Sequence, residues 1–395
     1  MEITVERLGH RGDGLAEGHR VPFTLPGERV QLEPLTILSP SPERVEAPCP
    51  VFTRCGGCAV QHASDRFVTQ WKEDQVRRAL TAHGLDFPFK PSVTSPPASR
   101  RRASLHVRRT RKTVEIGFLQ RGSHGLVPIR ECGVLAPGLS DALDDLARLG
   151  AYGASRQGLA RLDVTLSEAG LDVVLTPAKP LEPKAQADLV ACAVSLDLAR
   201  LSLGDDVLLM ARPPSLRMDG IVVVPPPGAF LQATPHGEAA LRADVQEAVG
   251  SAARIADLFS GCGTFALPLA RQAQVLAVES ETALLEALDV AWRAAPGLKR
   301  VVTRQRDLFR RPLLPSELKG VEAVVIDPPR AGAEAQMRAL AQSDISVIAA
   351  VSCNPTSFAR DAKILTEAGF ECVWVRMVDQ FRWSAHVELT ACFRR

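Results

Sequence analysis

At 395 residues the chain exceeds what one ordinary hydrophobic core organises, so two or three domains are expected. The opening Met1-Glu2-Ile3-Thr4-Val5-Glu6-Arg7 lacks the apolar run of a signal peptide, and later apolar stretches are broken by charge or proline short of membrane-spanning length, so a cytoplasmic protein with no membrane partner is expected. Nine cysteines without secretory context argue against a disulfide framework, and the net charge of +2 hides a strongly basic stretch further along.

Short strand-like runs alternate with glycines at the start: Ile3 to Leu8, then Gly9, Gly12, Gly14 and Gly18, then Val21 to Leu25 and Arg29 to Leu35. This texture predicts a small antiparallel unit. The proline-containing stretch Ser39 to Pro50 reads as a linker into a cysteine cluster. The spacing of Phe67, Val68, Trp71, Val76 and Leu80 predicts a helix over Asp65 to His83, ended by Gly84, and a proline-rich break covers Pro88 to Pro97. From Arg100 to Glu131 the residues Arg100, Arg101, Arg102, Arg108, Arg109, Arg111, Lys112, Arg121 and Arg130 face only Glu115 and Glu131. That excess suits a phosphate backbone, and equally a solvated strand face.

Strands are expected at Leu105 to Arg109, Val114 to Leu119, Asp163 to Ser167, Asp172 to Thr176 and Ile221 to Val224, with helices at Leu139 to Leu149 and Pro183 to Leu196. An α+β domain accounts for this mixture. After Pro225-Pro226-Pro227 strands alternate with helices: Ile255 to Phe259, Val275 to Glu279, Val301 to Thr303, Ala323 to Ile326, Ser346 to Ser352, Cys372 to Met377 and Glu388 to Cys392. Such alternation predicts a doubly wound α/β sheet, whose ligands bind at the carboxyl ends of the strands.

The turn Asp257-Leu258-Phe259-Ser260-Gly261-Cys262-Gly263-Thr264-Phe265 follows the first of these strands, and its glycines permit close approach of a ligand. A dinucleotide fold competes, but the third glycine of its fingerprint is missing. Glu279, ending the next strand, is placed to hold ribose hydroxyls, and Asp307 after the third could bond an adenine amino group. Both positions also suit an ordinary surface acid; their order along the chain favours the ligand. Asp327-Pro328-Pro329-Arg330 closes the fourth strand, with neither the aromatic used for amino-group methylation nor the cysteine of cytosine-C5 enzymes.

Cys353 follows the fifth strand, where Asn354-Pro355 stops the strand and turns the thiol towards the Asp327 loop; Cys192, Cys262, Cys372 and Cys392 are read as inert buried thiols. If the glycine turn holds a methyl donor, the thiol explains how an inert pyrimidine carbon is methylated: addition at C6 makes C5 nucleophilic. Glu388 is the candidate base for the C5 proton. Cys49, Cys55 and Cys58, with Cys132 as a distant fourth, suit zinc or an iron-sulfur cluster, and the absence of two C-x2-C knuckles puts iron-sulfur modestly ahead.

Together these segments resemble the RNA 5-methyluridine methyltransferases, the S-adenosylmethionine-dependent RNA uracil-C5 family, through most of the chain and most closely from Phe230 to Phe393. The resemblance implies a Rossmann-like class I methyltransferase domain at 229–395, a central α+β iron-sulfur domain from 46–58 and 92–228, a helical segment 59–91 packing on the catalytic domain, and a shortened OB-like (TRAM-type) RNA-binding unit at 1–45. It implies that Phe230 stacks on a flipped uracil, that Gln232, Phe259, Thr264, Glu279, Asp307 and Asp327 line the S-adenosylmethionine site, and that Asp327 also bonds the uracil edge. Cys353 matches the nucleophile, Glu388 the base, and Cys49, Cys55, Cys58 and Cys132 the [4Fe-4S] ligands of the ribosomal-RNA branch. Thr234 and Thr264 stand where the family often has asparagine. The implied partner is RNA, ribosomal (23S) before transfer RNA, acted on by a monomer. A non-catalytic RNA-binding or assembly factor on the same fold is the competing class, and Cys353, Glu388 and the acidic positions argue against it.

Overall fold

The computed structural model describes all 395 residues. The first 39 residues form two small antiparallel sheets, one ordered Glu2–Thr4, Arg29–Gln31, Thr36–Ser39 and the other Arg7–Leu8, Gly14–Ala16, His19–Val21. They enclose a minor core of Ile3, Val5, Ala16, Val21 and Val30. Gly14 is required there, because a Cβ would stand 2.1 Å from Thr24 Oγ1. The strand expected over Val21 to Leu25 stops at Val21. Pro22 brings no N–H to a ladder, and Thr24 turns back to donate to the Val21 carbonyl at 3.0 Å.

Helix Asp65–Thr81 starts where Ser64 Oγ accepts the Phe67 N–H at 3.2 Å. Its buried stripe is Val68, Trp71, Lys72, Val76 and Leu80. Val68 and Trp71 pack with Leu8, Leu25 and Val60 of the amino-terminal region, whereas Val76 and Leu80 enter the core of the carboxyl-terminal domain. One helix thus joins two lobes.

A seven-stranded sheet occupies the middle of the chain, in the order Leu126–Pro128, Val114–Leu119, Arg102–Arg109, Ala160–Ser167, Gly170–Thr176, Arg200–Leu203, Asp206–Met210. Its single parallel pair, Gly170–Thr176 with Arg200–Leu203, is bridged by helix Pro183–Ser195, as a parallel connection requires. Leu105, Val107, Leu162 and Leu175 pack beneath Leu146, Leu149 and Leu189. The helix expected over Leu139 to Leu149 is two pieces, Pro137–Ser140 and Leu143–Gly150. Leu126–Pro128, Arg200–Leu203 and Asp206–Met210 escape a sequence reading because each is short and lacks sustained alternation. The hairpin Leu216–Met218/Ile221–Val223 lies inside the segment that the sequence assigns to the central domain, yet its apolar side chains join Leu241, Val245 and Leu288 in the carboxyl-terminal core. The small edge strand Val93–Thr94 likewise pairs with the carboxyl-terminal sheet.

That sheet contains β1 (Arg254–Leu258), β2 (Gln274–Glu279), β3 (Val301–Gln305), β4 (Ala323–Ile326), β5 (Val347–Ser352), β6 (Glu371–Asp379) and β7 (Leu389–Arg394). The order is β3-β2-β1-β4-β5-β7-β6, parallel through β5, with β7 inserted antiparallel to both its neighbours. Two large apolar clusters cover its two faces, which is why these strands read as nearly continuous hydrophobic runs. The turns after β1 to β5 therefore gather at one edge. No helix is long and apolar enough to cross a membrane.

Candidate active site

The turn after β1 places Phe259, Gly261 and Gly263 at φ +62°, +53° and +97°. Gly263 is packed, since a Cβ would meet Leu267 at 2.8 Å, whereas a Cβ on Gly261 would point into open space. The Gly261 N–H is donated to Glu279 Oε2 at 3.1 Å, tying the turn to the end of β2. Asp307 Oδ1 accepts the N–H groups of Phe309 and Arg310 at 3.0 and 3.2 Å, and the Phe309 ring lies 5.4 Å from that of Phe259. Thr264 is half-buried on the same turn.

Asp257 adds a group that sequence reasoning left out of the site. It is fully buried, and neither carboxylate oxygen has a hydrogen-bond partner; Ser260 Oγ beside it is equally unpartnered. Burial, then the charges of Asp327 and Glu279, push its carboxyl well up. Acceptors without side-chain partners and the acids Asp257, Glu279 and Asp327 thus converge at one strand edge, an arrangement that favours a cationic ligand donating hydrogen bonds.

Cys353 stands immediately after β5, half-buried. Asn354 caps helix Pro355–Glu367 by accepting the Thr356 N–H at 3.1 Å, and its Nδ2 donates to the Arg330 carbonyl at 2.9 Å. That bond draws the cysteine turn against the Asp327-to-Arg330 loop. Burial, then the charges of Glu388 and Asp327, push the Cys353 thiol up to about 11, with Arg330 opposing. Glu388 is buried just before β7, and its carboxyl is raised by burial and then by Asp327; burial raises Asp327 as well.

These acids are linked by two amides. Gln380 Nε2 donates to Glu388 Oε2 at 3.2 Å and also to Gln232 Oε1, while Gln232 Nε2 donates to Asp327 Oδ2 at 3.4 Å. Gln380 was not legible as a site residue; its only sequence signal is its position at the end of β6 beside the sheet edge. Thr234 acts as the cap of helix Pro235–Val249, accepting the Gly237 N–H at 2.9 Å.

Cys353, Asn354 and Arg330 form one wall of a cleft of about 730 Å³ whose other walls come from the amino-terminal sheets and helix Asp65–Thr81. Arg7, His10, Arg11, Arg20 and Arg78 line it. Within the basic run expected to grip phosphate, Arg109, Arg111 and Lys112 are exposed, whereas Arg101 and Arg108 are committed to carboxylates. Arg101 is buried, ion-paired to Glu238 and donating to the Gln232 carbonyl at 3.2 Å, and Arg108 pairs with Glu115 at 2.6 Å. Arg101 is therefore a structural prop for Gln232, because a buried guanidinium paired with a carboxylate has no capacity left for RNA. Phe230 is exposed, with the Arg102 guanidinium 5.2 Å from its ring centroid.

Cys49, Cys55, Cys58 and Cys132 ring a separate cavity of about 290 Å³, reached also by Ser384 and His386 of the loop before Glu388. All nine cysteines are free thiols. Burial pushes Cys58 up to about 12. The four thiols share the cavity, but no group of three or more His, Cys, Asp or Glu side chains converges tightly enough to hold a single metal ion.

A family model described as tRNA (Uracil-5-)-methyltransferase matches residues 242–395. The chain is 42% identical over 410 residues to an uncharacterized RNA methyltransferase of Rhizobium meliloti, covering 100% of this chain and 99% of that protein. It is 32% identical over 435 residues to the 23S rRNA (uracil(1939)-C(5))-methyltransferase RlmD of Pectobacterium atrosepticum, covering 100% and 93%. The tRNA (uracil-54, C5)-methyltransferase of Pyrococcus abyssi, solved in complex with S-adenosyl-L-homocysteine, matches with a TM-score of 0.79 at 23% identity, covering 100% of this chain and 99% of that one. That likeness establishes the α/β methyltransferase fold. With full-length relatives among RNA methyltransferases and the catalytic half matched by the uracil-5 model, the chain belongs to the RNA (uracil-5-)-methyltransferase family.

Proposed function

We propose that the protein methylates C5 of a uridine in 23S ribosomal RNA, through a covalent bond between Cys353 and C6 of the base that Glu388 resolves. The observation that carries the reading is the placement of Cys353 on the wall of a basic cleft, with the raised acids Glu388 and Asp327 as its neighbours. The acids Asp257, Glu279, Asp307 and Asp327 at the strand edge would hold S-adenosylmethionine, which when bound supplies an electrophilic methyl group. Gln232, Phe259 and Thr264 complete its site. Asp327 lies between the two sites and is suited to bond the uracil edge, while Phe230 offers an exposed face for stacking.

The chemistry of this chain's residues is then ordered. The Cys353 thiol passes its proton to water in the open cleft, and its sulfur forms a bond to C6 as the C5–C6 double bond opens, placing an electron pair at C5. C5 takes the methyl group. Glu388 removes the C5 proton, the C5–C6 double bond re-forms, and the bond between Cys353 sulfur and C6 breaks, freeing the enzyme. RlmD, related across the whole chain, supports ribosomal RNA as the substrate; transfer RNA is the second reading, from the family description of the catalytic half.

Residues 1–45 serve in this reading as a shortened OB-like RNA-binding unit, and Cys49, Cys55, Cys58 and Cys132 hold a [4Fe-4S] cluster. The support for this is that the four thiols line one cavity, as a cluster with one iron per cysteine requires. Its role is structural, because uracil methylation by this route transfers no electrons. The test is to incubate the protein with isotopically labelled S-adenosylmethionine and separate transcripts of 23S ribosomal RNA and transfer RNA, then digest and identify labelled nucleosides by mass spectrometry. Labelled 5-methyluridine in the 23S transcript is expected. Label confined to transfer RNA selects the second reading, and label in neither overturns the proposal.

A further inference from the structure

We propose that Gln380 is a positioning residue for the base: its side-chain amide fixes the carboxylate of Glu388 and the amide of Gln232 in one arrangement, so that proton acceptor and methyl-donor pocket are set together. This rests on the reading of Glu388 as the base.

The argument begins with an amide that cannot flip. Gln380 Oε1 accepts the backbone N–H of Ala233 at 2.7 Å, and an N–H can only donate, so the NH2 end must point the other way. There it serves two acceptors, Gln232 Oε1 and Glu388 Oε2. Gln232, having accepted on its oxygen, keeps its own NH2 for Asp327. The polarity of the whole chain is therefore set by one backbone N–H. Gln380, Gln232 and Glu388 are all buried, so no water competes for these bonds.

The backbone around Gln380 is held equally firmly. Asp379 forms a 2.7 Å ion pair with Lys72 and accepts the Phe381 N–H at 2.9 Å, while Lys72 Nζ donates to the Phe381 carbonyl at 3.1 Å. Gly237 leaves room for the side chain, since a Cβ there would stand 2.7 Å from Gln380 Cβ. The hydrogen bond from Gln380 favours the ionised form of Glu388 where burial opposes it, and a base must be ionised to take a proton. Only Oε2 is engaged, which leaves the second oxygen of Glu388 for that proton.

The test uses Gln380→Met, close in shape but without donors, and Gln380→Glu, which keeps an acceptor for Ala233 N–H but cannot donate. Two RNA forms separate the steps: ordinary 23S transcript, and the same transcript carrying 5-fluorouridine, whose C5 has no proton to remove and so traps the adduct without needing the base. Both variants are expected to lose about tenfold or more in turnover, the worth of a hydrogen bond to a charged group, and to accumulate a methylated protein-RNA adduct on ordinary RNA. The acid limb of turnover against pH should move upward in Gln380→Met, while the yield of trapped fluorinated adduct stays at the wild-type level. Unchanged turnover, or equal loss of trapping and turnover with no shift in the pH profile, overturns the role of Gln380. Absence of any trapped adduct with the wild-type protein instead overturns the covalent reading on which it rests.

Discussion

In the proposed reaction Cys353 adds to the base and Glu388 takes a proton from it, and burial beside Asp327 raises both groups. Replacing Cys353 by Ala is expected to abolish methyl transfer while leaving S-adenosylmethionine affinity nearly unchanged in calorimetry, because the thiol meets the base; substantial turnover by that variant would exclude the covalent route. Glu388→Gln should stall after methyl transfer and leave a methylated adduct visible on a denaturing gel. The same change carries a stability signature. Glu388 has its carboxyl raised above the ordinary 4.5, so the native state keeps a proton that the unfolded chain has already lost, and stability falls as pH rises from there through the raised value. Glu388→Gln removes that penalty: its melting temperature should exceed the wild type by about 2 °C or more near pH 8, and the gap should close by about pH 5. A variant less stable than wild type near pH 8 would show that ionised Glu388 is not held at a cost. On the proposed stacking role, Phe230→Ala should weaken RNA affinity in filter binding by no more than the roughly 1–3 kcal/mol of one stacking interaction and impair methylation further, since the contact would lie at the reacting base.

Among the elements, helix Asp65–Thr81 has the widest reach. Its stripe Val68, Lys72, Val76, Leu80 repeats every fourth residue, so helical geometry carries Lys72 into the core with its apolar neighbours. There its ammonium is fully buried against Asp379. Lys72→Met should cost about 3–5 kcal/mol in urea unfolding, because it leaves Asp379 charged and unpaired; pairing it with Asp379→Asn should recover much of that loss. Equal destabilisation by the single and double changes would mean that packing of the lysine stem, and not its charge, holds the element. The apolar spacing made this helix legible. What it could not disclose was the partner, since Asp379 lies more than three hundred positions away in the chain and the pair exists only once the sheet has formed.

For the molecule as a whole, the cleft at Cys353 is made by parts remote in sequence, the amino-terminal sheets, the helix and the turns after β4 and β5. Reversing Arg7, Arg11 and Arg78 to Glu should weaken RNA binding and flatten the dependence of log affinity on log salt by about 0.7–0.9 for each phosphate that the protein no longer neutralises. An unchanged slope would move the RNA surface away from this cleft. Arg101→Glu should behave differently, lowering thermal stability before it affects RNA, since it sets a second buried carboxylate beside Glu238 and leaves Arg242 as the one cation paired there. Protein purified without oxygen should be brown and hold about four irons per chain, the content of one [4Fe-4S] cluster. Stoichiometric zinc without iron would overturn the cluster.

The order of strands and helices, the sheet edge bearing Glu279, Asp307, Asp327 and Cys353, and the helix before Pro88 were all determined by local pattern, because each rests on periodicity, glycine conformation or strand-end position over a few consecutive residues. The placing of Cys353 and Glu388 in one domain was legible too, Cys353 just after β5 and Glu388 just before β7. Tertiary structure alone decided the rest. Charge density along Arg100 to Lys112 could not tell Arg101, spent on Glu238, from Arg7 and Arg78, which face the cleft, because pairing depends on what burial brings beside each guanidinium. The strand-end positions of Gln380 and Asp257 did not disclose their roles either: an amide becomes a junction, and a carboxylate is stripped of side-chain partners, only when three-dimensional packing removes water and fixes their neighbours.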